Sequence, residues 1–178
     1  MGYMKYLRDI WNKNSNEEVM KERRISWRKE PATVRVANPT RPDRAKSLGY
    51  KPKQGVLVVR QRIKRGGRMT EKPAGGRRTK RASRNKVVSV NYQRVAEERV
   101  DKKYPNCEVL NSYLVTKDGV YFWYEVILVD RTHPRVLEDS NLNHVFLNKG
   151  RTFRGLTSAS RKGRGLRKKG IGSEKTRK

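Results

Sequence analysis

The stretch Val109-Leu110-Asn111-Ser112-Tyr113-Leu114-Val115-Thr116, then Lys117-Asp118-Gly119, then Val120-Tyr121-Phe122-Trp123-Tyr124-Glu125-Val126-Ile127-Leu128-Val129 is two β-branched and aromatic runs joined by a turn sequence. Such runs suit a pleated, half-buried surface, and Asp-Gly supplies the backbone freedom that a tight hairpin connection needs. The reading is an antiparallel hairpin over 109–116 and 120–129, the most secure part of the core. A third strand is predicted at 56–64, where Leu57, Val59 and Ile63 alternate with Val56, Val58, Arg60, Arg62 and Lys64. That alternation gives one face to the core and assigns the arginine face to a polyanion.

Helices flank these strands. Tyr3, Tyr6, Leu7, Ile10 and Trp11 recur at i, i+3, i+4, i+7 and i+8, so residues 3–13 read as an amphipathic helix. Ser15-Asn16-Glu17-Glu18 has the form of a capping box for a second helix over 16–29, with Val19, Met20 and Trp27 on its apolar side and Pro31 beyond its end. Thr33 to Ala37 reads as a short strand. Thr40-Arg41-Pro42-Asp43 opens a short helix that Gly49 closes. Tyr92, Val95, Ala96, Arg99 and Val100 give a further helix over 91–103, with Glu98 and Lys102 at i, i+4, stopped by Pro105. The fold class is therefore α+β: a small antiparallel sheet packed with helices.

Charge divides the chain sharply. Of 178 residues, 45 are Lys or Arg and 17 are Asp or Glu, a formal charge of +28. Yet 104–147 holds three bases and six acids, while 60–86 holds twelve bases and one acid, Glu71, and 149–178 holds twelve bases and one acid, Glu174. A chain this basic repels itself, so it is expected to be marginal alone and to gain stability from a bound polyanion. One domain is expected at 1–148, with a core of about 90 to 110 residues and a long basic internal loop at about 60–88. An extended basic tail is expected over 149–178, able to reach at most about 100 Å.

Gly-interleaved arginines hold phosphates bidentately or stack on bases, and this pattern suits folded RNA. Phosphate contact alone does not separate RNA from DNA, so a DNA-compacting protein or general nucleic-acid chaperone is the alternative. A solvated charge surface is a weaker reading, since surfaces ordinarily mix signs. On the charge pattern, the candidate RNA-binding residues include Arg60, Arg62 and Lys64 on the strand, Arg77, Arg78, Lys80, Arg81 and Arg84 in the loop, and Arg151, Arg167 and Lys168 in the tail. Tyr50 is the one aromatic considered for base stacking, against packing across a helix terminus. Tyr113 and Tyr121 to Tyr124 read as core or protein contact.

Enzyme classes lack their parts. Gly75-Gly76-Arg77-Arg78 has no Lys-Ser/Thr ending of a P-loop, and Gly163-Arg164-Gly165 lacks the third glycine of a dinucleotide fingerprint. His133, before Pro134, reads as orienting a turn or meeting phosphate, His144 as a packed or surface imidazole, and Cys107 as a structural thiol. A single cysteine excludes an intrachain disulfide, and no metal or cofactor is expected. No apolar run approaches the roughly 18 residues of a membrane span, and no signal peptide is evident, so a cytosolic protein without membrane or small-molecule partner is expected. The acids Glu108, Asp118, Glu138 and Asp139 are expected to mark a side facing solvent or a neighbouring protein.

Several ordered stretches go further: Pro39-Thr40-Arg41-Pro42-Asp43-Arg44-Ala45, Leu48-Gly49-Tyr50-Lys51 and Lys53-Gln54-Gly55; Arg65-Gly66-Gly67-Arg68; Val95-Ala96-Glu97-Glu98-Arg99; Val109 to Tyr113; Glu125-Val126-Ile127-Leu128; and Arg154-Gly155-Leu156-Thr157-Ser158-Ala159. From about Tyr3 to Leu166 the chain closely resembles the archaeal and eukaryotic large-subunit ribosomal protein family L fifteen e, and its compact length is similar to the archaeal members. The resemblance implies a non-enzymatic structural constituent of the large subunit in the cytoplasm, a small α+β domain with basic extensions entering ribosomal RNA. Large-subunit ribosomal RNA and adjoining ribosomal proteins would be its partners. By motif match it implies RNA contact at Arg41, Arg44, Lys53, Arg65, Arg68, Arg154, Arg161, Lys162 and Arg164, and backbone-geometry roles for Gly66, Gly67 and Gly155.

Overall fold

The structure, a computed structural model, describes residues 2–13, 16–67, 75–77 and 90–168. Its elements run α1 (Met4–Asn12), α2 (Glu17–Lys29), β1 (Thr33–Val36), α3 (Pro42–Ser47), β2 (Val56–Lys64), α4 (Tyr92–Lys103), β3 (Cys107–Lys117), β4 (Tyr121–Asp130), α5 (Pro134–Leu137), α6 (Asn143–Phe146) and α7 (Ser158–Gly163). Turns of 3₁₀ helix lie at Ser140–Leu142 and Leu166–Lys168. The fold is α+β, as the strand and helix periodicities predict.

The four strands form one antiparallel sheet in the order β1-β2-β4-β3. Asp118 fixes the β3–β4 turn: its carboxylate accepts the amides of Val120 and Tyr121 at 2.7 and 2.5 Å, and its own amide donates to the Tyr121 carbonyl. β3 carries irregularities between Val109 and Asn111 and between Leu114 and Thr116, each of which re-aims the side chains beyond it.

Both faces of the sheet are covered. On one, α4 brings Val100 and Ala96 against Val59, Val126, Leu128, Ile63 and Tyr124. On the other, Met20 and Trp27 of α2 and Ala45 of α3 pack with Val56, Tyr113, Val115, Trp123 and Ile127. The expectation that the arginine face of 56–64 stays open therefore fails at Arg60 and Arg62. β2 is an interior strand whose second face is roofed by α2, so Arg60 is buried and Arg62 half-buried.

Two further expectations shift, and a third falls partly outside the described residues. In α2, Met20 and Trp27 are buried but Val19 is exposed, which narrows its apolar side. Ser15 lies outside the described residues, and Asn16 flanks the helix without a side-chain cap bond. α1 forms, yet none of its residues is buried: Tyr6 and Ile10 face solvent, as does the flanking Tyr3, while Trp11 packs partly against the core.

The folded chain also continues past Lys149, where composition turns basic. Thr152, Thr157, Ala159 and Ser160 are buried, and three polar contacts fasten the segment to α4 and its N-cap residue, Asn91. Thr152 Oγ1 donates to Asp101, Thr157 Oγ1 donates to Glu97 at 2.5 Å, and Asn91 Nδ2 donates to the Ala159 carbonyl at 2.8 Å. An extended tail beginning at 149 is thus replaced, through residue 168, by a folded segment ending in a helix and a 3₁₀ turn.

Candidate nucleic-acid interface

The carboxylates decide which cations remain open. Glu97 accepts from the Ser112 and Thr157 hydroxyls, and its burial raises its pKa against the lowering effect of both bonds. Glu125, also fully buried, accepts from Tyr113 and from the Thr40 amide at 3.0 Å, again with its pKa raised by burial. Asp101 is raised for the same reason while it holds Thr152. Glu108 accepts the amide of Gly150 at 2.8 Å. Asp139 accepts from Lys53 and Asn141 and, at 3.3 Å, from Lys51, which together hold its pKa well below the usual range. So Glu108, Asp118 and Asp139, expected to face outward, are internal fasteners; Glu138 alone of that set is exposed. An acid accepting two or more donors fixes loops that apolar packing does not reach.

The predicted cations then separate into two groups. Arg41 pairs with Asp43 at 3.1 Å and lies 4.7 Å over the Trp11 ring. Arg60 pairs with Glu30 and lies 4.0 Å over Trp27; Arg62 lies 4.8 Å over Tyr121 and donates to the Trp27 carbonyl at 3.2 Å. Lys53 holds Asp139, and Arg151, its pKa lowered by burial, donates to the Val109 carbonyl at 2.7 Å. These five sit within the protein's own packing, where a guanidinium over an aromatic face contributes about 0.5–2 kcal/mol.

The second group is exposed: Arg44, Lys64, Arg65, Arg77, Arg154, Arg161, Lys162, Arg164 and Arg167. None of them has a carboxylate partner among the described residues. Arg65 donates to the Asp118 carbonyl and lies 5.0 Å over Phe122, which holds its guanidinium at the hairpin's turn end. Arg161 and Arg167 line a groove of about 290 Å³ with Leu156, Ser158 and Leu166. Gly155 takes φ +73°, and a Cβ there would come within 3.0 Å of Arg164 Nη1, so the glycine lets that guanidinium lie against the backbone. Gly66 takes φ +98° in open space, and Gly67 is exposed beside it. Arg68, Arg78, Lys80, Arg81 and Arg84 lie outside the described residues, as does the side chain of Lys168.

Sequence reasoning missed the exposed cations of α4, Arg99, Lys102 and Lys103. It paired Glu98 with Lys102, but Glu98 takes Arg94 at 2.7 Å, and Lys102 Nζ lies 6.0 Å over Phe153 of the segment packed on α4. Tyr50 is partly buried against the core and Cys107 is buried, its thiol pushed up to about 11 by burial. His133 flanks the N-terminus of α5, and His144 is exposed. Among the described residues no His/Cys/Asp/Glu group could hold a metal ion, and no helix is long and apolar enough to cross a membrane.

The class is an α+β protein with several acids used as internal fasteners and a set of exposed cations that meet no carboxylate among the described residues. The Ribosomal L15 family model matches residues 2–178, and the chain belongs to that family. It is similar to the large ribosomal subunit protein eL15 of Picrophilus torridus, 51% identical over 177 residues, with 96% of this chain and 91% of the relative covered. It is likewise similar to the proteins of that name from Methanocorpusculum labreanum, at 52% identity with 97% and 91% covered, and Methanospirillum hungatei, at 49% with 97% and 91% covered. The family is one of ribosomal structural proteins, not of enzymes.

Proposed function

We propose that the protein is a structural constituent of the large ribosomal subunit that binds and braces large-subunit ribosomal RNA, with adjoining ribosomal proteins as its other partners. The observation that carries the reading is the inward use of carboxylates beside the open cations Arg154, Arg161, Lys162, Arg164 and Arg167 on one folded segment. Arg44, Lys64, Arg65 and Arg77 join that set, and the basic residues at 68 and 78–84 are assigned to RNA on charge alone. Arg41, Lys53, Arg60 and Arg62 brace the protein instead, while Arg151 braces it through Nη1 at the Val109 carbonyl and also lines a cavity. Contact of this kind reads RNA shape, phosphate spacing and the 2′-hydroxyl more than base edges.

The test is sedimentation of a lysate of the source organism through a gradient at about 0.5 M salt, where simple surface attraction weakens by orders of magnitude. Near-unit stoichiometry in the large-subunit peak is expected. Migration with DNA, or loss to the top of the gradient, would favour the DNA-compacting or chaperone alternative.

A further inference from the structure

A cavity of about 570 Å³ opens where the end of α3, the start of β3 and the 3₁₀ turn at Ser140–Leu142 meet the Arg151 side chain. That is a volume in which proteins hold small organic groups. Leu48, Leu110 and Leu142 make it apolar. Two amides line it as well. Asn111 Oδ1 accepts the Ser112 amide, which leaves its Nδ2 donors without a protein partner among the described residues. Asn141 Nδ2 donates to Asp139, and its carbonyl oxygen has no donor among the described residues. Two cations line it, Arg151 from within and Lys51, more than half exposed, at the rim. Asp139, the carboxylate that pairs with Lys51, is shared with Lys53.

The geometry points to a pocket for a single unstacked nucleotide of an RNA strand. The base face would lie on the leucines, its polar edge would meet the Asn111 donors and the Asn141 acceptor, and its phosphate would meet Lys51 and Arg151. An aromatic side chain would use the apolar wall and leave the cations unmatched; an acidic side chain would do the reverse. A nucleotide brings an apolar face, a donor and acceptor edge, and an anion in one unit. This site adjoins the Arg154 to Arg167 segment at Ser158, and it supplies base contact where the cations of that segment offer only backbone contact.

The inference rests on the ribosomal reading. Its test uses intact large subunits assembled in cells with either the wild-type chain or Asn141→Trp, whose indole fills the cavity, probed with dimethyl sulfate and a carbodiimide so that all four bases report. One unpaired ribosomal nucleotide, protected in wild-type subunits, is expected to gain about tenfold in reactivity, the change of a lost contact set. A second variant, Asn111→Ala with Asn141→Ala, keeps the space and is expected to give a smaller gain at the same nucleotide. Variant chains present at unit stoichiometry with no nucleotide altered, or a neighbouring protein's side chain seated in the cavity, would overturn the pocket alone. Absence of the wild-type chain from large subunits would overturn the proposed function and the pocket with it.

Discussion

In the β3–β4 hairpin the carboxylates of Glu108, Asp118 and Glu125 each take hydrogen bonds from protein donors, whereas across residues 150–167 the guanidinium groups of Arg154, Arg161 and Arg164 meet no carboxylate among the described residues. The same two kinds of charge thus serve opposite ends. Acids hold the second region onto the first, and the cations of that second region are the ones the proposed function assigns to RNA. Glu97 is the joint between them, since one carboxylate takes Ser112 of β3 and Thr157 at the start of α7.

Breaking that joint is expected to have the largest effect. Glu97→Ala strips the acceptor from two buried hydroxyls and should cost about 3 kcal/mol. Chemical denaturation would measure it, and hydrogen exchange should show α7 losing protection before β4 does. Next comes Gly55→Val: Gly55 has φ +83°, and its added Cβ would lie 2.6 Å from Val136 Cγ2, so a loss of about 2 kcal/mol is expected in the same assay.

Arginine variants sharpen the comparison. Arg60→Gln removes a buried guanidinium from Trp27 and Glu30 and should cost about 1–2 kcal/mol without changing the salt dependence of RNA binding. The triple change of Arg154, Arg161 and Arg164 to Gln should leave stability within about 0.5 kcal/mol. It should lower the slope of log affinity against log salt by about 2 for isolated ribosomal RNA. Equal slopes for the two proteins would erase the distinction between bracing and open cations.

The smallest effect lies in pH. Partial burial pushes the Asp118 carboxyl upward, but the Tyr121 and Val120 amides and Arg28 outweigh it, and the folded pKa is lowered. A lowered acid contributes stability above its unfolded value of about 4 and loses it as pH falls through the folded value. Asp118→Asn should therefore cost less than about 1 kcal/mol near neutrality and flatten the melting temperature below about pH 4. Glu97 and Glu125 act in the opposite sense. Their raised folded values mean that the contribution present below about pH 4 declines as pH rises toward those values.

The hairpin was legible because Tyr113, Trp123, Val126 and Leu128 report burial and Asp118-Gly119 reports the turn, all within one local window. β2 and α4 were legible for the same reason. The partnering of Arg60 and Arg62 was not, since alternation shows that a strand has two faces but not that Trp27, far off in sequence, will roof the second. The folding of residues 150–163 was hidden for a different reason. Its anchors are Thr152 and Thr157, small polar residues that read as linker, and their partners are acids on α4 that read as solvent-facing. Glu97 and Asp101 stand four apart beside Ala96 and Val100, and acids flanking an apolar stripe at helical spacing were the available signal. The basic residues at 68 and 78–84 lie outside the described residues.

The most direct test is ultraviolet crosslinking of intact large subunits with the crosslinked peptides of this chain identified by mass spectrometry. Crosslinks to ribosomal RNA should concentrate in the peptides from Arg154 to Arg167 and around Lys64 and Arg65, with the Cys107–Asp130 hairpin nearly silent outside Leu110 and Asn111, which line the cavity. Crosslinks centred on the hairpin, with the Arg154 to Arg167 peptides free, would contradict the account.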